Sequence, residues 1–111
     1  MHTERSQIEQ IIQRFGEVLK SKGIIPENII LFGSYAKGTA SEYSDIDLVI
    51  VSQDFAGLSL IERCTIMGQA IAEIMEPIEP LAYTPEEFAR LSPHSVIGSV
   101  MNDPMEHLKI H

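Results

Sequence analysis

Two aspartates, Asp45 and Asp47, open an otherwise apolar run, "DIDLVIV", in a chain of 111 residues. A β-strand turns successive side chains to opposite faces. Asp45, Asp47, Val49 and Val51 therefore share one face, and Ile46, Leu48 and Ile50 the other. Beyond the aspartates both faces are apolar, the pattern of a strand covered on both sides. Alternate residues of a strand lie ~6.5–7 Å apart at Cα. Two carboxylates ~6 Å apart repel by roughly 3 kcal/mol at an effective dielectric near 20. A cation offsets this most simply. The spacing suits Mg²⁺, which takes one or two protein carboxylates and completes its octahedron with phosphate oxygens and waters. For the triplet alone, a solvated strand start with two chance aspartates is the favoured explanation.

Upstream, "NIILF" ends at Phe32 and Gly33-Ser34 follows at once. A glycine at a strand end lets another group approach the backbone closely. The N–H groups after it open a turn or helix of the kind that cradles phosphate, with the Ser34 hydroxyl as a further contact. Lys37 can add positive charge, and Gly38 can turn the chain back. Taken alone, Gly-Ser is equally an ordinary tight turn, and Lys37 equally a solvated lysine.

The elements that must position these residues follow from periodicity. Ile8, Ile11, Ile12, Phe15, Val18 and Leu19 predict an amphipathic helix over 4–22, with Gly23 as its C-cap. After the turn at Pro26 come strands at "NIILF" and over 45–52. A second helix, about 58–75, has a wide apolar arc through Leu58, Leu60, Ile61, Cys64, Met67, Ile71, Ile74 and Met75. So wide an arc predicts packing against a sheet and something else besides, with Cys64 buried. "IEPLAY" reads as a third strand. Thr84, Pro85 and Glu87 then announce a capped helix. A short helix over 95–102 and a strand in the tail "MEHLKIH" complete an α/β arrangement of helices on a small sheet.

Composition sets the outer limits. The formal net charge of −8, from 16 acidic against 8 basic residues, argues against general nucleic-acid binding, which needs a basic footprint. A small anionic ligand carried in with a metal ion fits. One cysteine leaves no internal disulfide and no thiolate zinc site. The apolar runs are too short to span a bilayer and the start has no signal-like stretch, so a soluble cytoplasmic protein is expected. The tail histidines His107 and His111, and His94 in its loop, read as solvated.

Gly33-Ser34, ten intervening residues and Asp45-x-Asp47 together form a composite pattern. The stretch "FGSYAKGTASEYSDIDLVIV" resembles the minimal nucleotidyltransferases of the DNA-polymerase-β-type superfamily, and the resemblance extends through "IEPLAYTPEEF". It implies one minimal domain over 1–111, with a small mixed β-sheet packed with helices, the polymerase-β-like nucleotidyltransferase fold. It implies transfer of a nucleoside monophosphate, AMP from ATP, to a hydroxyl acceptor with two Mg²⁺ ions, Mn²⁺ being the alternative. Carried over by residue, Gly33, Ser34 and Lys37 hold the triphosphate, and Asp45 and Asp47 ligate both metals. The family's third carboxylate falls by position on Glu79, with Glu76 as competitor. The sequence departs here in having Glu where the family often has Asp, and in the following Pro80, which demands an edge or irregular strand. Tyr35 and Tyr43 flank the phosphate turn and could stack on a base. So short a chain lacks an acceptor-gripping domain, which implies a homo-oligomer or a helical HEPN-type partner, with a partner tyrosine as acceptor in a toxin–antitoxin pair. The alternative is a non-catalytic antitoxin that neutralises its partner by contact alone.

Overall fold

The computed structural model describes residues 5–33, 35, 38, 40, 45–91 and 106–108. In chain order they form α1 (Arg5–Ser21), β1 (Asn28–Phe32), β2 (Ile46–Val51), a 3-10 turn (Gln53–Phe55), α2 (Leu60–Ile74), β3 (Ile78–Tyr83), α3 (Pro85–Ala89) and β4 (Glu106–Leu108). Residues 95–102, for which a helix is predicted, lie outside the described residues; the expected tail strand is β4.

The strands form one mixed sheet in the order β3-β2-β1-β4. β1 pairs antiparallel with β2 and with β4, while β2 and β3 run parallel. The parallel pair needs a crossover, and α2 supplies it. β2 is covered on both faces, as its composition requires. Ile46, Leu48 and Ile50 join the main core with Ile8, Ile12, Phe15 and Leu19 of α1 and Met67, Ala70 and Ile74 of α2. Val49 and Val51 join Ile30 on the opposite face, with Phe32, Tyr83 and Phe88 packed against them.

Each helix is ended by local chemistry. Gly23 has φ +89°, and the N–H groups of Gly23 and Ile24 bond to the carbonyls of Lys20 and Leu19. That is the Schellman closure expected of glycine just past a helix. α2 opens on a capping box between Ser59 and Glu62, and α3 on one between Thr84 and Glu87 with Pro85 behind the cap. Arg63 of α2 joins several of these parts. Its guanidinium makes two bonds to Glu87, at 2.6 and 3.1 Å, and donates to the carbonyls of Leu58 and Ala82. It also lies 5.7 Å from the centroid of the buried Phe55 ring, within cation–π range. At the end of β2 the buried Ser52 donates to the Ile25 carbonyl at 2.7 Å, and Asp54 accepts the Ile25 N–H at 2.8 Å. Asp54 and Ser52 therefore tie the β2 end to the α1–β1 connection.

Two expectations about α2 are corrected. Cys64 is exposed rather than buried. The wide apolar arc is only partly covered: Met67, Ala70 and Ile74 are buried, whereas Leu60, Ile61 and Met75 are 75%, 78% and 85% exposed. The sheet and α1 reach one side of the helix, and the rest of the arc faces out.

Candidate active site

The site is assembled at the start of β2. Asp45 immediately precedes the strand and is exposed; Asp47, its second residue, is half-buried. Across the sheet Asp47 stands opposite Phe32 on β1 and Glu79 on β3, so these three positions form one row and share one face. Glu79, rather than Glu76 in the connection before β3, is the carboxylate brought to the aspartates.

Gly33 follows Phe32 directly and has φ +74°, and a Cβ built there would lie 2.2 Å from Asp47 Oδ2. The group that approaches this glycine closely is thus the Asp47 carboxylate. A side chain at position 33 would be strained in its backbone and would displace Asp47. Gly38, in the return path, also has positive φ, +77°, but with open space around it; its conformation alone calls for glycine.

The electrostatics of the row follow from its geometry. Burial raises the Asp47 carboxyl above its ordinary value, and the neighbouring Asp45 raises it further. Glu79 is raised chiefly by the charge of Asp45, then by lying within hydrogen-bonding reach of the Asp45 carboxyl, by slight burial and by Asp47. The charge of Asp45 thus opposes the ionisation of both Asp47 and Glu79, which is the condition a cation relieves. Among the described residues no group of three or more His, Cys, Asp or Glu is arranged to hold a metal ion by itself. The fit to a cation accordingly rests on the charge and chemistry of oxygen donors, with a ligand shell completed from outside the protein, as Mg²⁺ commonly has.

Pro80 does not disturb this arrangement. The Ile46 N–H bonds to the Pro77 carbonyl and the Ser52 N–H to the Tyr83 carbonyl. By alternation, residues 77, 79, 81 and 83 turn their main-chain groups to β2, and Ile78, Pro80 and Ala82 turn theirs to the free edge. The missing proline N–H thus falls where no strand pairs. The Ile78 N–H is taken by the Glu76 carbonyl, and the Ala82 carbonyl by Arg63.

Ser34, Lys37 and Tyr43 lie outside the described residues. Tyr35 packs against the main core, which uses its ring for packing rather than leaving it free for a base. β4 contains His107, while His94 and His111 lie outside the described residues.

The chain matches the Nucleotidyltransferase domain family over residues 9–100. It belongs to that family. Among curated relatives of this chain, a candidate protein adenylyltransferase of Methanocaldococcus jannaschii is 31% identical over 98 residues; the match covers 85% of this chain and 61% of the relative's length. The chain thus spans less than two thirds of that protein. Two solved structures share the fold. A toxin–antitoxin complex with AMP-PNP aligns over 94% of this chain and 73% of the other, with TM-score 0.59 and 22% identity. A tri-AMPylated Shewanella oneidensis HEPN toxin in complex with an MNT antitoxin aligns over the same shares, with TM-score 0.58 and 15% identity. Among the described residues, no helix is long and apolar enough to cross a membrane.

Proposed function

We propose that this nucleotidyltransferase transfers AMP from ATP to a hydroxyl group of a protein, with a tyrosine of a HEPN-type partner as acceptor in a toxin–antitoxin pair. The observation that carries the reading is that Asp47 and Glu79 stand side by side in one row, next to Asp45 and with Asp47 packed against Gly33. The candidate adenylyltransferase relative and the two complexes that share the fold support the choice of AMP and of a HEPN-type partner.

Asp45, Asp47 and Glu79 would hold two Mg²⁺ ions, which would supply charge neutralisation for the phosphates. Gly33 keeps Asp47 in place for this and, with Ser34 and Lys37, receives the triphosphate. In the transfer the acceptor oxygen bonds to the α-phosphorus, the bond to the β-phosphate oxygen breaks, and pyrophosphate leaves. The hydroxyl proton passes to a carboxylate, and Glu79, exposed on the edge strand beside Asp47, is the candidate acceptor in this reading. The rest of the protein's contribution is positioning.

Calorimetry of ATP with and without Mg²⁺ tests the binding half. Mg²⁺-dependent binding that disappears in Asp45→Asn/Asp47→Asn is expected; binding indifferent to either change would sink the reading and leave contact neutralisation in its place. Incubating α-phosphate-labelled ATP with a HEPN-type partner tests the transfer half, the expected result being label on a tyrosine of that partner.

A further inference from the structure

Between α2 and β3 the chain turns through Met75, Glu76 and Pro77 alone. Met75, just past the helix, has φ +54° and ψ +44°. Among the described residues it is the one left-handed residue other than glycine. Glu76 is confined to extended backbone by the proline after it. Pro77 sits at the centre of a tight turn that the Ile78 N–H closes on the Glu76 carbonyl at 2.9 Å. Two longer-range bonds fix this corner in the fold. The Ile46 N–H donates to the Pro77 carbonyl at 2.8 Å, and the Arg14 guanidinium to the Ile74 carbonyl at 3.4 Å.

The fold needs the conformation but not the residue type. A left-handed residue past a helix end lets the chain reverse, and glycine fills that position without the clash a larger side chain meets. Methionine there is an outlier, and backbone strain of this kind clusters at functional sites. Packing within the described chain does not account for it, since Met75 is 85% exposed.

Its place in the fold gives the side chain a use. β2 and β3 run parallel with Asp47 opposite Glu79, and the Ile46–Pro77 bond carries that pairing on to the corner. Asp45, Glu79, Pro77 and Met75 are all exposed at this end of the sheet. Chain geometry puts the Met75 Cα within about 12 Å of the Asp45 Cα. The other large apolar side chains left exposed among the described residues are elsewhere: Ile25, Leu60 and Ile61 beyond the far end of β2, and Leu81 in mid-strand. A standard protein interface covers about 800 Å² on each partner, wide enough to take in this corner together with the carboxylate row. A small acceptor bound at the row does not reach it.

We infer that Met75 is an apolar anchor for the protein acceptor, held on a fixed corner beside the carboxylate row so that a docked protein presents its hydroxyl there. The partner it fits is a folded protein with an apolar contact next to the hydroxyl to be modified. A flexible thioether on a rigid backbone suits such a contact. The inference deepens the proposed transfer of AMP to a protein and rests on that reading.

The test measures the Kd and the KM of a HEPN-type partner with the wild type and three variants, beside Mg²⁺–ATP calorimetry on the same samples. Met75→Gln keeps the length and the backbone strain of methionine but is polar. It should leave Tm unchanged and raise both constants roughly tenfold. Met75→Gly should raise Tm by about 4 °C or more and weaken the partner equally. Met75→Leu should keep partner affinity within a few-fold of the wild type. Mg²⁺–ATP binding should be the same in every variant. Partner binding indifferent to Met75→Gln and Met75→Gly overturns the proposal. So does a fall of Tm in either, which would show Met75 packed within its own chain, or a wild-type dimer in sedimentation that Met75→Gln dissolves. A partner bound through Met75 but never labelled fails the transfer alone. A partner labelled with constants that ignore Met75 fails the anchor alone, and one neither bound nor labelled fails both.

Discussion

At the scale of single residues, the site places electrostatic cost next to steric exclusion. The raised carboxyls of Asp47 and Glu79 are a liability to the metal-free fold. Because their folded values lie above the unfolded ones, the folded chain binds protons more tightly and loses stability as pH rises through them. Asp47→Asn and Glu79→Gln should therefore each raise the metal-free Tm at pH 7 while abolishing transfer. The gain should vanish once the pH falls below the ordinary carboxylate range, as melting curves across pH would show. Gly33→Ala should do the opposite, lowering Tm and cutting transfer by about 100-fold, because it displaces Asp47 and demands an alanine at positive φ. The Asp-x-Asp spacing was legible in the sequence, and so was the need for close approach at Gly33. That the approaching group is Asp47 itself depends on the pairing of β1 with β2, which local sequence does not state.

At the scale of elements, the period-two and period-3.6 patterns located α1, β1, β2, α2 and β3 to within two residues or so, and the Thr84–Glu87 capping box was readable as it stands. Periodicity measures how much of a helix is apolar but not how much of that surface the fold reaches, hence the misplacing of Cys64. The Ser59–Glu62 box follows the same S-x-x-E signature and could have been read. The joint between Arg63 and Glu87 could not, since it unites residues 24 apart in sequence. The Arg63 guanidinium first, then the Thr84 N–H, hold the Glu87 carboxyl at about 2 against an ordinary 4.5. With the folded value depressed, the joint stabilises fully above about pH 4.5 and is lost as pH falls toward 2. Glu87 is 42% exposed, so solvent screening limits its worth to about 1 kcal/mol. Glu87→Gln should lower Tm at pH 7 and converge on the wild type in acid. Pro80→Thr should cost no more than about 1 kcal/mol and leave transfer intact, because no ladder bond is restored or lost.

At the scale of the molecule, a small domain carrying net charge −8 and an unneutralised acidic row should respond to ligands as a linked system. Mg²⁺ and ATP together, at 100 times the dissociation constant, should stabilise it by about 2.7 kcal/mol. Thermal-shift measurements should show less from either alone and nothing from both in Asp45→Asn/Asp47→Asn. The parallel pairing of β2 with β3 also has a consequence for assembly. A slip of β3 by one residue would turn Glu79 toward the helices and bring Ile78 or Pro80 into the row with Asp47. The same slip would swing the proline's missing donor into the ladder and break the bonds at Pro77 and Tyr83 that clamp the strand at each end. Misregistered chains thus forfeit main-chain pairing at the moment they forfeit the carboxylate row, so any copy that completes its sheet has also set its chemistry.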